Sequence, residues 1–138
     1  MKLIAAVVSA LIVTSPGSRA ELPPQVYHDN QARSPEALTI TVKSVTIAKT
    51  DEPSGRRRDI TVEASVQTIK RSATRLRVGD TIRINYSHYT YKQPMPGPGQ
   101  PEIIAEGRTY SAYLAKSDKD ATYALAAGGH SFSLSKAK

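Results

Sequence analysis

Apolar and polar residues alternate with a period of two over most of the chain beyond residue 37. Leu38, Ile40 and Val42 alternate with Thr39, Thr41 and Lys43, the pattern of a strand with one buried face. The alternation then slips, and Val45 and Ile47 fall on odd numbers. A one-residue slip marks a β-bulge, which bends a strand. After the turn cluster Asp51-Glu52-Pro53-Ser54-Gly55, the residues Ile60, Val62, Ala64 and Val66 predict a second strand, which slips again before Ile69. Leu76-Arg77-Val78 leads into a Gly79-Asp80 turn. A third strand then sets Ile82, Ile84, Tyr86 and His88 against Arg83, Asn85, Ser87, Tyr89 and Tyr91. Gln93 to Pro101 is too rich in proline and glycine for a helix or a central strand. Tyr110, Ala112 and Leu114 predict a fourth strand, followed by the charged turn Lys116 to Asp120. Tyr123 and Leu125 predict a fifth, interrupted by Gly128-Gly129. Phe132 and Leu134 continue that strand or form a separate edge strand.

The N-terminal segment reads differently. Lys2 precedes an uncharged apolar run of twelve residues, Leu3 to Thr14. Pro16-Gly17 and the small residues of Ser18-Arg19-Ala20 follow. This three-part pattern predicts a secretory signal peptide over residues 1–20, cleaved between Ala20 and Glu21. The run is short of the roughly 20 apolar residues that a spanning helix needs. The mature protein is therefore expected outside the cytoplasm, periplasmic or extracellular, with no integral membrane segment. Residues 21–37, with Pro23, Pro24 and Pro35 among polar neighbours, read as an extended arm, and residues 38–138 as one domain. No amphipathic helix is legible after the leader.

Five or six strands, two of them bulged, predict an all-β domain: a five- to six-stranded antiparallel Greek-key barrel of the oligonucleotide/oligosaccharide-binding (OB) type. Bulges let long strands turn a barrel corner and pair on both sides. The proline loop takes the place of the helix usual between strands three and four. A small β-sandwich is the alternative. The core is expected to hold Val62, Ala64, Val66, Ile82, Ile84, Leu114 and one of Tyr110 and Tyr113.

Two stretches carry a family likeness. Val78-Gly79-Asp80-Thr81-Ile82-Arg83-Ile84-Asn85-Tyr86 resembles the Gly-Asp turn entering a strand of many OB barrels. Glu106-Gly107-Arg108-Thr109-Tyr110-Ser111-Ala112-Tyr113-Leu114 resembles the corresponding strand of netrin-like and metalloproteinase-inhibitor-like OB domains. The resemblance implies a fold, and it suggests a hydrolase inhibitor as one possible role. Those inhibitors chelate their target's metal through an N-terminal cysteine. This chain has no cysteine, so that route does not carry over.

Composition narrows the chemistry. The absence of cysteine removes disulfides, thiol nucleophiles and thiolate metal sites. With no Trp and one Phe, seven Tyr supply most of the aromatic bulk. Loss of Lys2 and Arg19 with the leader takes the formal charge from +7 to +5. That is a soluble surface with a basic bias, open to polyanions.

No catalytic set is legible. Ser133-Leu134-Ser135-Lys136 matches a Ser-x-x-Lys pattern formally, without its companion motifs. Three scattered histidines have no ligand spacing, and no metal or cofactor is expected. His88 reads as a structural histidine at the barrel rim. The candidate ligand-binding residues are basic and aromatic: Arg56, Arg57 and Arg58 at the tip between strands one and two, and Lys70, Arg71, Arg75 and Arg77 in the next connection. Arg83, Tyr89 and Tyr91 share one outward strand face. Charge plus flat rings is how such barrels hold single strands. The leading expectation is a non-enzymatic exported barrel that binds or packs against another envelope component, in the first instance a protein. The alternative is a module for polyanionic glycan or nucleic acid.

Overall fold

A computed structural model describes residues 23–95 and 99–135. The expected leader and its cleavage site lie outside the described residues, as do Pro98 of the proline loop and Lys136 of the Ser-x-x-Lys stretch. The elements in chain order are α1 (Pro24–Arg33), β1 (Glu36–Glu52), β2 (Gly55–Ser72), β3 (Thr81–Tyr91), β4 (Thr109–Lys116), β5 (Tyr123–Leu125), a 3-10 turn (Gly128–His130) and β6 (Phe132–Leu134). No helix among the described residues is long and apolar enough to cross a membrane.

The expected small β-barrel forms. The strands run β1-β2-β3-β5-β4 around the ring, and β4 closes it by pairing with β1. β6 is the separate edge strand, set against Tyr110–Ala112 of β4. One pairing departs from the antiparallel expectation: β3 and β5 run parallel where Ile84 meets Tyr123. The cause is topological. A ring with an odd number of strands cannot alternate direction all the way round, so one neighbouring pair must be parallel.

Period-two alternation builds the core. Leu38, Ile40 and Val42 of β1 meet Ile60, Val62, Ala64 and Val66 of β2. Ile82, Ile84 and Tyr86 of β3 and Tyr110, Ala112 and Leu114 of β4 complete one buried cluster with Tyr123 and Phe132. Of the two tyrosines on β4, Tyr110 is the buried one. The bulges lie where the alternation slips: the β1–β2 register shifts between Val42 and Ser44, and again opposite the Val66–Ile69 segment. The proline loop returns across the barrel as an irregular segment. Ile104 is buried there; Tyr86 Oη donates to Glu102 O (2.8 Å) and accepts from the Ile104 amide (3.2 Å). Gly129 lets this loop pass, since a Cβ there would stand 2.3 Å from Gly99 O.

The N-terminal arm is not extended: residues 24–33 are helical. Pro24 occupies the first turn, where its missing N–H would have been unpaired anyway, and Pro35 lies beyond the C-terminus. The prolines bracket the helix instead of breaking it. Its only buried side chain is Tyr27, too thin a stripe to give a readable period. Tertiary contacts hold it instead. The Tyr27 ring lies 3.7 Å from that of His130, and Gln31 Nε2 donates to His130 O. β1 accordingly begins at Glu36, two residues before the expected boundary.

Glu36 is fully buried. Its Oε1 accepts from the amide and hydroxyl of Thr74 (2.9 and 2.7 Å). The Thr74 hydroxyl proton is thereby committed, so Tyr123 Oη donates to Thr74 Oγ1 (2.8 Å). This carboxyl ties the β2–β3 connection to the barrel interior.

Candidate functional site

Only Glu36–Thr41 of β1 pair with β4, and only Ile84 of β3 pairs with β5. Past the bulge at Lys43, Ser44–Glu52 of β1, the start of β2 and Ser87–Tyr91 of β3 continue together as a three-stranded ribbon. Nine residues of strand reach about 30 Å. The ring does not need this length to close.

The register sorts the ribbon's side chains into two faces. On the face continuous with the barrel interior, successive cross-strand rows are Val45–Val62–Ile84, Ile47–Ile60–Tyr86, Lys49–Arg58–His88 and Asp51–Arg56–Thr90. The opposite face carries Thr46–Thr61–Asn85, Ala48–Asp59–Ser87, Thr50–Arg57–Tyr89 and Glu52–Gly55–Tyr91. Arg56, Arg57 and Arg58 therefore lie inside β2, not on a loop tip. They alternate between faces because strand side chains do.

The two faces differ in charge. On the outer one, Arg57 pairs with Glu52 (2.7 Å) and Asp59 (3.4 Å), and Arg83 with Glu63 (3.0 Å). The inner one is cationic. Arg56 Nε holds Asp51 (2.7 Å), and Arg58 Nη1 donates to Thr90 Oγ1 (2.8 Å). Among the described residues, Lys49, Arg58 and Lys92 have no carboxylate within ion-pairing distance. Arg56 and, more weakly, Lys92 lower the Asp51 pKa, so that carboxylate stays charged.

Tyr89 and Tyr91 share a face with Arg83, as the alternation predicts, but the arginine is six residues away from Tyr89 along the strand. The tyrosine rings meet each other (4.5 Å) and fold toward the tip, where Tyr89 Oη and Ser54 Oγ share a hydrogen bond (2.6 Å). Gly55 permits this. A Cβ there would stand 2.1 Å from Thr90 O and 2.9 Å from Tyr89 Cε1. Tyr89 thus braces the tip, while Tyr91 is 43% exposed.

Lys70 and Arg71 lie within the far end of β2, roughly 40 Å along the strand from Arg56–Arg58, and Arg75 and Arg77 lie in the β2–β3 connection, as expected. The two basic groups do not form one site. Arg71 is committed to the fold. Its Nε donates to Ser34 O (2.8 Å) and its Nη2 to Gln31 O (3.0 Å), capping the C-terminus of α1. Lys70, Arg75 and Arg77 are exposed. Arg75 takes a positive φ of 59° in the connecting turn. A second concavity, between Thr61, Glu63, Arg83 and Asn85 on one side and Asp120–Thr122 on the other, holds two acids, Glu63 and Asp120, against one base, Arg83.

Lys49, Lys92 and Glu36 were not legible as candidates. Lys49 could have been found by counting back from the Pro53-Ser54 turn, which sets it opposite Arg58.

His88 is half-buried at the ribbon base, and its Nδ1 is buried without a partner. Burial first, and the Arg58 charge second, lower its pKa below the ordinary 6.5. The folded protein thus holds a neutral imidazole over a range where the unfolded chain is already protonated. Between 6.5 and the lowered value the unfolded state binds more protons. Stability is therefore full above about 6.5 and falls as pH drops through that window. Urea midpoints taken between pH 7.5 and 5 should decline for the native protein and decline less for His88→Gln. Equal slopes would show that His88 contributes nothing.

No protein-family model, curated protein or solved structure matches the chain.

Proposed function

We propose that this is an exported, non-enzymatic binding module in which the barrel holds the fold and the projecting ribbon docks another component of the cell envelope, in the first instance a protein. One observation carries the reading: β1, β2 and β3 run well past the strand length used in barrel closure, and their added residues expose Ile47 and a cationic face. Exposed strand without a partner is a liability in a free domain, and extended edges are a recurrent way to add a partner strand or surface. A continuous polyanion track draws less support. Its two basic halves stand at opposite ends of β2, Arg71 is internally bonded, and Arg56, Arg57 and Arg83 are paired with carboxylates.

A photo-activated crosslinking residue at Ile47, compared with one at Asp118 in the β4–β5 turn, tests this in the native host. The expected result is a discrete protein adduct from position 47 and none from 118. Adducts of equal yield from both positions, or none from either, would overturn it. Steep salt-dependent binding to heparin or single-stranded DNA that is lost in Lys70→Glu/Arg77→Glu would favour the polyanion alternative instead.

A further inference from the structure

Near the ribbon's tip an open hollow of about 470 Å³ is lined by Asp51, Arg56, Arg58 and Thr90 of the inner face, together with Gly55, Tyr91 and Lys92. From this hollow we infer a site for a phosphate-type oxyanion, best matched by a diphosphate or a phosphate monoester. The inference goes beyond the docking role and does not depend on which partner the ribbon meets.

Three cations converge from two parts of the chain, Arg56 and Arg58 from β2 and Lys92 from the segment after β3. Asp51 is the one acid in the lining, so the hollow carries a net charge of +2. Asp51 is engaged with Arg56 Nε, which orients that guanidinium and leaves its terminal nitrogens free. Arg58 is likewise steadied by Thr90 through one nitrogen, with its other donors unused. Guanidinium forks held in place by one bond each are suited to multi-oxygen anions. The next row adds a signal that structure alone does not account for: Lys49 stands directly across from Arg58, which also lines the hollow. Like charges directly opposite each other destabilise a sheet. A bound dianion would offset that repulsion. Two guanidinium groups and an ammonium lining one hollow match a multiply charged oxyanion better than a single carboxylate.

Pyrophosphate titrated into the isotope-labelled protein, followed by arginine and backbone NMR shifts at constant ionic strength, tests the site. The expected result is saturable movement at Arg56, Arg58 and Lys92, a dissociation constant at or below the millimolar range, and tighter binding than malonate. Arg58→Gln and Lys92→Gln should each weaken pyrophosphate about tenfold or more without lowering the thermal midpoint, while Asp51→Asn should tighten it. Vesicles of phosphatidylcholine with and without phosphatidic acid separate the sources. Arg58-dependent capture by the acidic vesicles assigns a lipid phosphate, and pyrophosphate binding without capture assigns a free one. Malonate binding as tight as pyrophosphate, or shifts that survive in both glutamine variants, would overturn the inference.

Discussion

Ile84→Ala should lower the free energy of unfolding by about 2–5 kcal/mol, the range for truncating a buried aliphatic side chain. Ile84 has no exposed surface. It sits at the one place where β3 meets β5, opposite Tyr123, and its removal opens a cavity at the parallel seam that completes the ring. The seam has a single paired residue on each strand, so it has little capacity to collapse around the gap. For a domain of this size the midpoint should fall on the order of 10 °C or more. Denaturant titration with an unchanged slope would identify the loss as packing. A change below about 0.5 kcal/mol, the scale of an ordinary surface substitution, would mean that the ring is not closed through this residue.

Arg71→Ala should cost about 1.5–3 kcal/mol, because hydrogen bonds from a charged donor to part-buried carbonyls exceed neutral ones. The guanidinium serves Gln31 O, Ser34 O and Ser34 Oγ together. Removing it strips the last turn of α1 of its cap and of a favourable positive charge. The effect should be visible locally: hydrogen exchange over residues 24–33 should accelerate well before that of β2 and β3. Arg56→Ala offers the contrast. Its ion pair with Asp51 is exposed, and such pairs contribute little, so the thermal midpoint should not move measurably. If the two variants behaved alike, the division between structural and surface arginines would be wrong.

The core was readable because one property, burial of alternate side chains, decides it residue by residue. Ile82 and Ile84 could hardly face water with Arg83 and Asn85 alternating between them. Bulges were readable for the same reason, since a slip of phase at Lys43 leaves a trace in the pattern. What escaped was decided at longer range. The helix at 24–33 buries one tyrosine and depends on His130 and Arg71, far away in sequence, so no local period could announce it. The parallel β3–β5 pair follows from the count of strands in the ring, not from any residue in either strand. Arg56–Arg58 looked like one patch because a run of three charges reads as a loop. Once the hairpin extends to a two-residue turn at Pro53-Ser54, the same run must alternate, and it separates Arg57 from its neighbours. Arg71 carried no mark in the sequence to set it apart from Lys70 and Arg77.

A shortened ribbon tests most directly the claim that the barrel stabilises and the ribbon binds. Ala48 and Asp59 stand opposite each other, so an Asn-Gly turn in place of Lys49–Arg58 would reconnect β1 to β2 without altering the ring. Thermal unfolding of this variant, measured alongside its recovery in crosslinked envelope complexes from the native host, gives both halves of the answer. The expected result is a folded barrel with a midpoint within a few degrees of the native one and complete loss of the complex. A folded variant that still enters the complex undiminished would contradict the account, and so would a variant whose barrel no longer folds.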